Sequence, residues 1–187
     1  MGLILADEGV LACETLDLSN GVDWPMVYAL RDRSMACETW ICMSYTIKVR
    51  VYQTNQNAYF RIIEKGVWHY ANGGTWTEQD DTLLLTIGGS GTSGILRFQT
   101  EQGKEAFFIA LGVHNYKPWL DIITGLGDDI TGVRALPEYY NNSNPERVKS
   151  REAQRTSQSI LNIDHRTIAA NFKVAEGHNL ELDIVLG

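Results

Sequence analysis

The chain reads as a mainly-β domain, a sandwich or a barrel, behind an acidic N-terminal stretch. Three observations carry that reading. Short runs alternate apolar and polar residues with the period of a strand. Glycine-bearing turns separate those runs. Helical signals are confined to one connecting stretch between residues 119 and 156.

Taken in order, the alternation starts at Tyr45, with Ile47, Val49 and Val51 on one face and Thr46, Lys48, Arg50 and Tyr52 on the other. Asn55-Gln56-Asn57 is a turn before a strand over 59–63. Lys65-Gly66 then divides it from a second over 67–70. Residues 82–87 hold Leu83, Leu84, Leu85 and Ile87, which predicts a strand buried on both faces. Residues 95–99 alternate, Glu101-Gln102-Gly103 turns the chain, and 106–113 follows as a strand. Trp119, Ile122, Ile123 and Leu126 recur at three- and four-residue spacing, which predicts a short amphipathic helix. Asn144-Pro145 supplies an N-cap and a first-turn proline, so a helix is predicted over 145–156. Ile168, Ala170, Phe172 and Val174 then alternate, as do Leu180, Leu182, Ile184 and Leu186.

The 187 residues suffice for one domain with a full core. Hydrophobic residues make up 44% and charged residues 21%, as in an ordinary soluble globule. No apolar run approaches the roughly 20 residues of a membrane helix. The start has no basic opening before its apolar residues, and Asp7 and Glu8 interrupt them, so a cytoplasmic protein is expected. Residues 1–43 hold seven acids against Arg31 and Arg33, leaving only -2 of the total -7 for residues 44–187. Neither part suits a nucleic-acid backbone. Cys13, Cys37 and Cys42 all precede Met43, so the remainder needs no thiol to fold. Residues 1–43 are expected to be an appendage, a disordered extension or a translated upstream stretch, and 44–187 the domain.

Chemistry converges on three segments: Tyr70–Trp76, Gly88–Gly94 and Gly112–Lys117. Each sets glycine beside neutral hydrogen-bonding groups or aromatic faces. Glycine lets a backbone approach a ligand closely. Serine, threonine and asparagine bond without charge, and tryptophan and tyrosine offer flat apolar faces. That lining suits a small, uncharged, hydroxyl-rich ligand, a sugar.

Other readings are weaker. Gly89–Gly94 fits GxGxxG, but a strand follows where a dinucleotide site needs a helix. His69, His114, His165 and His178 lack metal-ligand spacing, and His114 alone reads as a satisfied core histidine. A Ser90–His114–Asp121 triad has no nucleophile elbow to support it. A glycosidase needs two carboxylates, and Asp121 is the only acid near these segments, so no catalytic residue is assigned. A membrane-lysing toxin needs an N-terminal amphipathic helix with an aromatic patch, which the acidic leader does not supply. Arg147, Arg151 and Arg155 line one face of the predicted helix, either as a solvated stripe or as contacts to a ligand. Asn141-Asn142-Ser143 matches a glycosylation sequon.

Together Tyr70–Trp76, Gly88–Gly94, Leu96-Arg97-Phe98, Gly112–Lys117, Trp119, Asp121-Ile122, Glu138-Tyr139-Tyr140 and Glu176-Gly177 resemble the fungal fruit-body lectin family, in family order across residues 44–187. The resemblance implies an actinoporin-like sandwich of two antiparallel sheets bridged by a helix-loop-helix. It also implies a homotetramer and no catalysis; no cofactor, metal or membrane insertion is expected. Its partners would be glycans and glycoproteins ending in galactose or N-acetylgalactosamine. The T-antigen disaccharide, galactosyl-β-1,3-N-acetylgalactosamine, would be held through the backbone of Ala71 and Gly91 and the side chains of Ser90 and Asn115. A second pocket, for N-acetylglucosamine, would use Asp121, Ile122, Thr124 and Arg147. Gln158 stands where the family carries a tyrosine, removing a flat wall from that pocket.

Overall fold

A computed structural model describes residues 44–187 except Ala71, Lys104 and Asp128. The expectation for residues 1–43 lies outside the described residues. Ten strands and two helices follow in the order β1 (Tyr45–Gln53), β2 (Phe60–Trp68), β3 (Gly74–Gln79), β4 (Thr82–Ile87), β5 (Ser93–Thr100), β6 (Ala106–His114), β7 (Lys117–Thr124), α1 (Gly132–Glu138), α2 (Pro145–Glu152), β8 (Ser157–Leu161), β9 (Thr167–Val174) and β10 (Asn179–Leu186).

The strands form two sheets, ordered β3-β4-β1-β10-β9-β8 and β2-β5-β6-β7. Neighbours are antiparallel except β1 and β10, which pair in parallel from Thr46↔Asn179 to Gln53↔Leu186. The alternation read from β1 places Ile47 and Val49 inward, opposite Leu83 and Leu85 of the neighbouring β4. These side chains pack with Leu180, Leu182 and Ile184 against Phe98, Phe107, Ile109 and Leu111 of the second sheet. Fully burying one such side chain contributes roughly 1.5–3 kcal/mol before entropy is counted.

A second, smaller core lies on the other face of the four-stranded sheet. There Ile95, Phe108, Ala110, Trp119 and Ile123 meet Ala135, Leu136 and Tyr139 of the helical connection. This layer explains one failed expectation. Residues 117–124 form strand β7, not a helix, because Leu120 and Ile122 face the inter-sheet core while Trp119 and Ile123 face the helices. A strand apolar on both faces mimics helical spacing. The reverse error falls on β4, where Leu83, Leu85 and Ile87 are buried but Leu84 is half-buried and Thr86 exposed, so only one face is covered.

Smaller differences are local. β2 runs unbroken through Lys65-Gly66, with a register shift between Ile62 and Glu64. Helix α2 starts as expected, with the Asn144 side chain accepting from the Arg147 N–H, but ends at Glu152. Beyond it Gln154 takes a φ of 49°, which a helix cannot continue. β3 and β8 are additional elements, and α1 with α2 forms the helix-loop-helix connection that the family resemblance implied. At the start of β6, Glu105 accepts from Asn162 at 2.6 Å and from Arg166 at 3.1 Å, latching one end of the sandwich.

Candidate functional site

Three connections meet where β2, β4 and β6 finish, at the end opposite that latch. His114 pairs with Lys117, and between them Asn115 and Tyr116 have φ of 49° and 64°. Two left-handed residues make the tight hairpin turn that suits strand twist, and asparagine is favoured at its first position. The turn leaves the Asn115 side chain exposed. Ser90 Oγ accepts the Tyr116 N–H at 2.9 Å, and the Gly91 N–H donates to the Val113 carbonyl at 2.7 Å. The crossover from β4 to β5 is thereby pinned to the hairpin. Gly91 has a φ of +99°, and a Cβ there would lie 2.7 Å from the Tyr70 ring. Only glycine lets that ring lie over this backbone. Gly112 serves strand packing instead, since its Cβ would meet the Thr92 carbonyl at 2.6 Å.

These groups border an open cleft of about 480 Å³. Ser90, Gly91, His114 and Asn115 contribute polar groups; Trp68, Tyr70, Tyr116 and Tyr140 contribute aromatic surface; Arg151 reaches in from α2. Trp68 and Tyr140 stack with ring centres 4.6 Å apart and planes within 3°. The Tyr140 hydroxyl shares a 2.7 Å hydrogen bond with Ser93 Oγ. Burial pushes its phenol up to about 12, against the Ser93 hydrogen bond and the Arg151 charge. His114 sits on the cleft wall, half-buried, and not in the core as expected; its carbonyl accepts from Gln154 Nε2 at 2.6 Å. Burial and then Arg151 hold its pKa below the usual histidine range, with Glu152 opposing. Among the described residues lining the cleft, none is a carboxylate. A sugar could lay its C–H face on an aromatic wall and its hydroxyls on Ser90, Asn115 and backbone groups. Ala71, expected in this site, lies outside the described residues.

The residues of the second predicted pocket are only partly brought together. Asp121, 5% exposed, accepts from the Tyr139 hydroxyl at 2.8 Å and pairs with Arg147 at 3.4 Å. Arg147 also faces Glu138 at 3.6 Å. Burial first, and Asp121 next, hold the Tyr139 phenol well above its ordinary value. The Ile122 side chain is in the inter-sheet core, so only its backbone edge is available, and its N–H already donates to Gln158 Oε1 at 3.0 Å. Gln158 thus caps the open edge of β7. Thr124 is half-buried at the strand end and alternates to the face opposite Asp121.

The sequence reading did not assign Trp68, Tyr140 or Arg151 to the site. Tyr140 stood in the family-like Glu138-Tyr139-Tyr140, and Arg151 in the arginine row; only the packing of α1 against β2 and β5, and of α2 against β7, selects them.

Fold and cleft together define a carbohydrate-binding β-sandwich. Known proteins agree. The sequence profile of the family described as fungal fruit body lectin matches residues 43–184. A lectin from Boletus edulis is 44% identical over 144 residues, which are 76% of this chain and 99% of that protein. Two X-ray structures of Xerocomus chrysenteron lectin, one wild type and one substituted, share 48% identity and a TM-score of 0.74. They cover 78% of this chain, and it covers 100% and 99% of theirs. The chain belongs to the fungal fruit body lectin family. It is a lectin, a protein that holds sugars without chemically altering them.

Proposed function

We propose that the cleft bordered by Ser90, Gly91 and Asn115 binds the T-antigen disaccharide and other glycans ending in galactose or N-acetylgalactosamine, with Ala71 assigned a backbone contact on the family resemblance alone. The observation that carries this reading is the exposed Asn115 amide, held on a rigid turn beside Ser90 and facing aromatic walls. Sugars differ in hydroxyl orientation, and a site built to bond one hydroxyl penalises an analogue that leaves its polar groups unpaired. Most of the sugar stays wet in so open a cleft. A dissociation constant of about 10 µM to 1 mM is expected, equivalent to roughly -4 to -7 kcal/mol.

Assembly as a homotetramer in the cytoplasm would turn such weak sites into an avid cross-linker of glycoconjugates, an agglutinin. A weaker N-acetylglucosamine contact would lie at the Asp121–Arg147 edge and draw on the backbone of Ile122 and the side chain of Gln158, with Thr124 at the strand end. Residues 44–187 form the lectin domain, and 1–43 an extension it does not require. A glycan array on residues 43–187, with sedimentation analysis of the same sample, tests the reading. Galactose- or N-acetylgalactosamine-terminated spots and a tetramer are the expected outcome. Binding confined to unrelated glycans would overturn the ligand, and a monomer would overturn the cross-linking.

A further inference from the structure

One wall of the otherwise neutral cleft is a cation, and we infer that the cleft favours galactosides carrying an anionic substituent, with Arg151 as the residue that selects them. The inference rests on the sugar-site reading above. Arg151 is the one permanently charged side chain among the described residues lining the cleft. It is not a mobile surface arginine: its side chain is only 13% exposed. The guanidinium carbon lies 4.9 Å from the centre of the Tyr140 ring, which Trp68 stacking and the Ser93 hydroxyl hold in place.

Its counter-ion is poor. Glu152 touches Arg151 at 3.4 Å, but it is the next residue in sequence and 59% of its side chain is in solvent. Such an exposed pair is weak and easily screened. Arg151 is therefore a preorganised charge, largely withdrawn from water and incompletely neutralised. Its field reaches the cleft, since it adds to burial in disfavouring the protonated form of His114. Guanidinium donors form a planar fork that fits carboxylate and sulfate oxygens alike. A sulfate ester on galactose and the carboxylate of an attached acidic sugar would meet the same chemistry.

Calorimetric titration separates these sources and tests the inference. The ligands are the neutral T-antigen disaccharide, its form sulfated on galactose, and its form sialylated on galactose. Wild type, Arg151→Met and Arg151→Lys are compared. In wild type at low salt, at least one anionic form should bind about five- to tenfold more tightly than the neutral one. That ratio should shrink with added salt, fall to about one in Arg151→Met, and survive in part in Arg151→Lys. Should the methionine variant fail to fold, the wild-type ratio and its salt dependence decide alone. Anionic forms that bind no more tightly than the neutral disaccharide overturn the inference and leave the site reading intact. A ratio that Arg151→Met does not change assigns the preference elsewhere and also overturns it. Failure of all three ligands to bind refutes the site reading, and the inference with it.

Discussion

The cleft at Asn115 and the cluster at Asp121 lie along one hairpin, and they differ in what their polar groups have left to offer. Asp121 is engaged by Tyr139 and Arg147, Arg147 also by Glu138, and the Gln158 oxygen by the Ile122 N–H. A ligand there must displace bonds the protein already makes. In the cleft, the fixing bonds run through Ser90 Oγ and the backbone of Gly91, Val113 and Tyr116. The Asn115 side chain is exposed and makes no hydrogen bond among the described residues. The density of charged groups alone would favour the Asp121 cluster as a site. Satisfaction of their hydrogen bonds points the other way, because the net gain from a new bond shrinks when an old one must break.

Removing Asp121 should give the largest effect on stability. Asp121→Ala leaves Arg147 and the Tyr139 hydroxyl without their shared acceptor, and breaking a buried ion pair costs about 3–5 kcal/mol. Denaturant unfolding measures it, and T-antigen affinity of the folded variant should be unchanged. A loss below about 1 kcal/mol would mean that the cluster is not structural. Gln158→Tyr probes the same edge more gently. It strands the Ile122 N–H, lowering stability by about 1–3 kcal/mol, while its ring offers N-acetylglucosamine an apolar face worth roughly 25 cal/mol per Å² buried. Tighter N-acetylglucosamine binding with a lower melting temperature is expected; unchanged affinity would remove stacking from that pocket.

Alkaline pH compares the two regions directly, because each buries a tyrosine. Tyr140 is raised from 10.0 to about 12 and Tyr139 is raised well above 10.0. Their neutral forms are favoured by the fold, so the stability they contribute is fully present below pH 10 and is lost as pH rises from there through about 12. Melting temperature should fall over that window, and tyrosinate absorbance should show delayed titration of Tyr139 and Tyr140, together with Tyr45, whose phenol is also raised by burial. Phenols that all titrate together near 10 would contradict the burial described. Deleting residues 1–42 should have the smallest effect, leaving melting temperature and sugar binding nearly unchanged. A large drop on truncation would show that the domain needs its leader.

The sequence disclosed the parts of this molecule whose environment is one-sided. Strands β1, β9 and β10 bury one face, and their alternation was plain at Ile47, Ile168 and Leu182. Strand β7 was misread because its second face is covered by helices that lie later in the chain, and no local pattern reports such a layer. The glycine segments were visible because Gly91 and the Asn115-Tyr116 turn reflect local backbone demands. Trp68, Tyr140 and Arg151 were not, because they meet only through the packing of α1 and α2 on the sheet. Nor could spacing reveal that the Gln158 oxygen is already taken by a backbone N–H.

The central claim is that the uncommitted groups of the cleft, not the charged cluster, hold the sugar. Calorimetric titration of wild type and Asn115→Ala with the T-antigen disaccharide, alongside thermal melts, tests it most directly. The account predicts a loss of about ten- to a hundred-fold in affinity, equivalent to about 1–3 kcal/mol, with the melting temperature unchanged. Undiminished affinity in a well-folded Asn115→Ala protein would contradict it.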